Sequence, residues 1–333
     1  MMIIDIYTHI FPEEFYKKWS KAAPDIGDIA MRMREIDDVH NLDARFKSMD
    51  AAGDDYRQII SLPNPPLEAI TTPEVGTKLA RIGNDTMAEC VDKYPDRFPA
   101  FVASVAMHKF DGAMAEAKRA IDDLGARGVQ IFTNVKGRPL DDPEFEPIFA
   151  MMADYDLPIW LHPGRPAMVK DYAAEDVSRY EIWWALGWPY DTSVAMSRMV
   201  FSGLFDRYPK LKIITHHCGG MIPFFEGRLD TGMVKLGSRT SNEDYSHILP
   251  SLKKPHGDYF KMFYADTAMF GASIGTKCAI EYFGTNNVVF ATDAPFAAIP
   301  EGIAMIDELG LNVTDRESIC IGNAENLLNM SFH

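Results

Sequence analysis

Hydrophobic and polar positions along this chain fall into two alternating rhythms. Short apolar or β-rich runs at 3–7, 56–62, 98–102, 128–132, 157–161, 211–215, 259–264 and 288–292 have strand length, and glycine, proline or polar breakers flank them. Between them, apolar residues three or four positions apart predict helices at 13–19, 42–52, 73–94, 110–124, 144–154, 192–205 and 273–283. Two stretches break the beat: a polar, methionine-dotted insertion at 22–41 after the first strand, and an aromatic segment at 164–187. Eight strands interleaved with helices, with no shift in composition between them, predict an α/β fold: one (β/α)₈ TIM barrel over 1–333, with the small insertion lying above its site. An open doubly wound sheet is the alternative. It is disfavoured because no GxGxxG follows the first strand, and because polar groups end both the first and last strands, which are neighbours only in a closed barrel.

The chemistry sits where the strands stop. The stretch LPIWLHPGRP at 157–166 delivers His162 at the carboxyl end of a strand; the first strand runs into His9, the sixth into His216 and His217, and the eighth into Asp293. Side chains just past such strand ends line the ligand crevice in folds of this kind. Imidazoles and a carboxylate gathered there suit a divalent ion of the zinc or manganese kind, with His9, His162 and Asp293 as ligands and His217 or His216 as a fourth group. Any one of these histidines alone reads as a hydrogen-bonded core residue, and their shared placement is what favours the metal. His40, His108, His247, His256 and His333 fit no strand-end pattern and are expected to be surface or structural.

Composition narrows the partners. With 47% hydrophobic and 24% charged residues the chain is an ordinary globular protein, and its net charge of −15, without any basic run, argues against nucleic acid and anionic membrane surfaces. A small carboxylated substrate would need local arginines. Cys90, Cys218, Cys278 and Cys320 are widely spaced and form no CxxC pair, as expected of reduced thiols in a cytoplasmic protein, and Cys218 reads as packing rather than as a nucleophile. The opening MMIID is strand-like and no stretch approaches membrane-spanning length, which points the same way.

The segments DIYTHIFP, LHPGR, GWPYDTSVAMSRMVFSGLFDRYPKLKIITHHCGGMIPFFEGRLD and VVFATDAPF together resemble the amidohydrolase superfamily, in particular its aminocarboxymuconate-semialdehyde decarboxylase-like branch. The resemblance implies a metal-dependent barrel acting on small carboxylated aromatic or unsaturated compounds. It makes His9, His162 and Asp293 metal ligands and His217 the acid/base histidine, with Asp293 assisting. Arg228 corresponds to a substrate-carboxylate arginine that reaches a neighbouring subunit, which implies a homodimer, and Arg45 is similar to a second carboxylate-binding arginine. The pattern D-x-H-x-H reads Asp5-Ile6-Tyr7-Thr8-His9 here. A neutral phenol is a poor ligand until a metal ionises it, so Tyr7 can bind as phenolate, hydrogen-bond a metal-bound water or the substrate, or mark a lost metal. Occupancy and identity of the ion turn on this residue. The fourth strand, at Gln130 to Thr133, lacks the lysine that bridges two ions in binuclear relatives, and Lys136 lies beyond it, so at most one ion is expected.

A non-oxidative decarboxylase is the leading reading. A hydrolase or hydratase using metal-bound water is the alternative on the same ligands, and a metal-free binding protein is the third. The cluster Tyr172, Tyr180, Trp183, Trp184 and Trp188 either walls an aromatic substrate or packs a long loop.

Overall fold

The computed structural model describes residues 1–23 and 29–332; positions 24–28 of the expected insertion, and His333, lie outside the described residues. Eight parallel strands form the centre: β1 (Ile3–His9), β2 (Tyr56–Ser61), β3 (Ala100–Phe101 and Ala103–Ser104), β4 (Val129–Phe132), β5 (Ile159–His162), β6 (Ile213–Thr215), β7 (Tyr264–Asp266) and β8 (Val288–Val289). Their spatial order follows the chain, β1 to β3 in one ladder and β3 to β8 in the next, with β3 bent between the two. No continuous ladder joins β8 to β1. Ile6 N–H donates to Phe290 O at 3.0 Å and His9 N–H to Ala294 O at 2.8 Å, so the ring of this TIM barrel is drawn together by separate bonds.

Asp5 fastens the same seam from inside. Its buried carboxylate accepts from the Tyr56 hydroxyl of β2 and, beyond β8, from the Thr292 hydroxyl and main-chain N–H. Strand side chains alternate between two layers. One set, including Ile4, Ile6, Ile59, Val102, Trp160 and Ile214, fills the barrel, and the other packs outward against the helices. The interior layer is continued by Ile321, Leu327, Leu328 and Phe332; Phe332 O accepts from Arg57, at the start of β2, so this segment floors the barrel.

The helical pattern places α1 (Glu13–Ala22), α2 (Leu42–Ala52), α3 (Pro73–Lys93), α4 (Phe110–Asp122), α5 (Glu146–Tyr155), α6 (Gly187–Phe201) and α7 (Ser273–Phe283) close to their expected bounds. The expectation at 259–264 fails: His256–Phe260 is helical, capped after Pro255, and the strand begins only at Tyr264. Apolar aromatic residues there face the core from a helix, and a short run of this kind does not distinguish the two. Among the described residues no helix is long and apolar enough to cross a membrane.

Candidate active site

β1 and β5 end in His9 and His162, while the turns after β6 and β8 supply His216, His217 and Asp293. Two local irregularities aim these groups. A register shift between Asp5 and Thr8 bulges β1, and the Tyr7 ring sits 5.4 Å from that of His9 and 4.1 Å from that of His216. After β6, His217 and Cys218 both take left-handed backbone, with φ of 56°, so two successive histidines face one centre where a regular strand would send them apart. The turn then tucks beneath α6. A Cβ on Gly220 would come within 2.5 Å of Pro189 O, which is why glycine stands there.

Three imidazoles carry their proton on the same nitrogen. His162 Nδ1 donates to Pro163 O at 2.8 Å, and His9 Nδ1 faces Ser61 Oγ at 3.1 Å, whose own proton goes to Thr8 O. His216 Nδ1 is bonded closely to Asp266, a carboxylate fixed in turn by the N–H groups of Cys218 and Ala268. Each ring is thereby fixed through Nδ1, with Nε2 on its other edge. Nε2 of His9 and of His216 is buried without a hydrogen-bond partner, and ligand atoms of His9, His162 and His216 lie within 4.8 Å of one another. His216, His217 and Asp293 make a second such group. Asp293 Oδ1 is 3.2 Å from His9 Nε2 and 3.4 Å from His216 Nε2; Oδ2 is 3.8 Å from His217 Nε2. Buried, unpartnered imidazole nitrogens around a carboxylate are a donor set that fits one divalent ion.

Burial sets the charges. It depresses the pKa of His9 and His217 and pushes His162 well below the usual histidine range, so these rings are neutral. At His216 burial works the same way but is outweighed by Asp266, and the ring is raised to about 9. At Asp293 burial is again outweighed, here by His216, His217 and His9, which hold the carboxyl well below its ordinary value.

Above this cluster opens a cavity of about 510 Å³. His162, His217 and Asp293 form its floor; Trp183, Trp184, Trp188, Phe270 and Phe296 wall it, and Met31, Arg32, Met33 and Glu35 of the insertion cover one side. Trp188 stacks on His217 at 6.2 Å between centroids and donates Nε1–H to Arg165 O. Two larger hollows, of about 730 and 990 Å³, hold none of the clustered histidines.

The chain matches the family described as Amidohydrolase over residues 4–330. It belongs to the amidohydrolase family. This amidohydrolase is 30% identical to a gamma-resorcylate decarboxylase of a Polaromonas species, over 98% of both chains. It is 27% identical to a 2-amino-3-carboxymuconate-6-semialdehyde decarboxylase of Dictyostelium discoideum, over 98% of this chain and 91% of that one. A dihydroxybenzoic acid decarboxylase from Polaromonas, solved with manganese and 2-nitroresorcinol, superposes with a TM-score of 0.79 at 27% identity, covering 98% of this chain and 97% of that one.

Within the amidohydrolase, His9, His162, His217, Asp293 and Trp188 come together, while Arg45, Tyr7 and Arg228 do not line the cavity. Arg45 is buried and outside the lining of the cavity, and four of its five N–H groups donate to His9 O, Gln58 Oε1, Thr8 Oγ1 and Asp38 O. Tyr7 is fully buried and lies beneath the cavity rather than on its wall, its hydroxyl without a partner. Arg228 is exposed on the rim of the 990 Å³ hollow, outside the cavity of its own chain. Two residues were missed. Arg32 brings a cation to the cavity from a segment with no strand-end logic, and Asp266 was hidden because its strand was placed too early; the FYADT run, similar to FATD after β8, is the signal that could have found it.

Proposed function

We propose that this amidohydrolase is a metal-dependent, non-oxidative decarboxylase of a small aromatic or unsaturated carboxylic acid, located in the cytoplasm and acting as a homodimer. The observation that carries the reading is the placement of His217 and Asp293 at the floor of a tryptophan-walled cavity of about 510 Å³, the volume of a substituted benzene with room to orient. His9, His162 and Asp293 would hold the ion, manganese or zinc, and when bound it supplies positive charge to the substrate carboxylate and a neighbouring oxygen.

The protein's own groups do the rest. Trp188 packs beside His217 and orients a flat ring over it. The C–C bond to the carboxylate breaks, carbon dioxide leaves, and the electron pair left on the ring carbon takes a proton, for which His217, 3.8 Å from Asp293, is the positioned carrier. Arg32 meets the anion from the insertion, and Arg228 would do so from a second copy.

The test uses protein loaded with manganese or zinc and a panel of hydroxybenzoic acids in D₂O. Carbon dioxide release with one deuterium at the vacated carbon is expected, and His217→Asn should lower kcat by about 10²–10⁴-fold with a small change in KM. Full-rate decarboxylation after metal stripping, or ¹⁸O from water in the product without carbon dioxide, would overturn the reading.

A further inference from the structure

Two adjacent histidines follow β6, and the structure gives them different surroundings. His217 lines the cavity; His216 does not, and neither does His9. His216 is wholly buried, its Nδ1 is held by Asp266, and its Nε2 has no hydrogen-bond partner although it lies within 4.8 Å of the donor atoms of His9 and His162. A carboxylate on one ring nitrogen with the other ring nitrogen free and aimed at further imidazoles is how proteins orient a metal-binding histidine. Tyr7 sits against this ring, 4.1 Å between centroids, and its buried hydroxyl has no hydrogen-bond partner.

We infer that His216, oriented by Asp266, is a metal ligand of this chain, supplying an imidazole from β6 where β1 offers Tyr7 beside His9, so that the ion is held by His9, His162, His216 and Asp293. The inference rests on the metal-dependent reading above and divides the labour within the HH pair: His216 holds the ion from beneath, and His217 stays free to carry the proton at the cavity floor. Tyr7 packs against the ligand ring without binding. Such a set has three imidazole nitrogens and one carboxylate, a donor balance that leans toward zinc more than an oxygen-rich site does.

The test is direct metal binding, independent of any substrate. Wild-type, His216→Ala, Asp266→Asn, Tyr7→Phe and His217→Asn proteins are stripped, checked for folding by circular dichroism and thermal melting, and titrated with Zn²⁺ and Mn²⁺ against a competing chelator. One ion per wild-type chain is expected; Asp266→Asn should weaken binding by about 10–100-fold and His216→Ala by at least as much. Tyr7→Phe and His217→Asn should bind as wild type. X-ray absorption of the zinc protein should count three imidazoles in wild type and two in His216→Ala wherever metal can still be forced in. A folded His216→Ala protein that binds as tightly as wild type, or a Tyr7→Phe protein that loses the ion, sinks this assignment and leaves the decarboxylase reading standing. A wild-type chain that takes up neither ion sinks both.

Discussion

None of the hydrogen bonds that Arg45 makes in its buried place goes to a carboxylate. Burial lowers its pKa to about 10, and its donors go to one hydroxyl, one amide oxygen and two carbonyls, among them the carbonyl of His9. It is a positioning residue. Arg45→Lys keeps a charge but loses the planar fork, and should cost about 2–3 kcal/mol in urea denaturation while leaving KM nearly unchanged. Arg32→Ala should do the reverse, raising KM several-fold for carboxylated substrates with no loss of stability, because Arg32 is more than half exposed and its nearest acid, Glu35, is 3.9 Å away. The sequence spacing already held the clue to Arg45: it lies four residues before Met49, the other buried residue of α2, and so on the inward stripe of that helix. Type and motif match alone cannot separate a buried structural arginine from one that meets a ligand.

At the scale of the elements, strand ends were the legible part of the site, because an apolar run followed by histidine or aspartate states both a position and a chemistry. His9, His162 and Asp293 were readable for that reason. What the chain does after a strand was not, since the left-handed turn at His217 and Cys218 and the bulge at Tyr7 leave no period to read. The short helix at Leu67–Ile70, one turn past β2, adds a further cost of the same kind. Its Glu68 is 1% exposed, neither side-chain oxygen has a hydrogen-bond partner, and burial pushes its pKa from 4.5 to about 7. A carboxyl raised in the folded state favours folding below its unfolded pKa, and that contribution is lost as pH rises through 7. Glu68→Gln should therefore match wild type near pH 4 and exceed it at pH 8, by up to about 3 kcal/mol, in urea midpoints taken at the two values.

For the whole molecule, the barrel followed from the alternation of strand and helix, but the way its ring shuts did not. The closing bonds are single contacts between residues far apart in sequence, and no local pattern encodes them. The flooring segment around Ile321 to Phe332 was likewise unread, because helices there are short and include one wide turn at Ser318–Gly322. Arg228 stands exposed near Phe224, which is 78% exposed, beside a hollow of about 990 Å³. Light scattering is expected to give a dimer, and Phe224→Asp should shift it toward monomer with a matching fall in decarboxylation; a fully active Phe224→Asp monomer would remove Arg228 from the site.

The seam has one more consequence, for synthesis. His9 emerges from the ribosome long before its counterpart Asp293 and before the Thr292 contacts by which Asp5 draws the two flanking strands together, which come nearly 300 residues later. A nascent or prematurely terminated chain can build most of its sheet and still have only half of its reaction centre. The clustered imidazoles and the Asp293 carboxylate can meet only once the eighth strand lies beside the first.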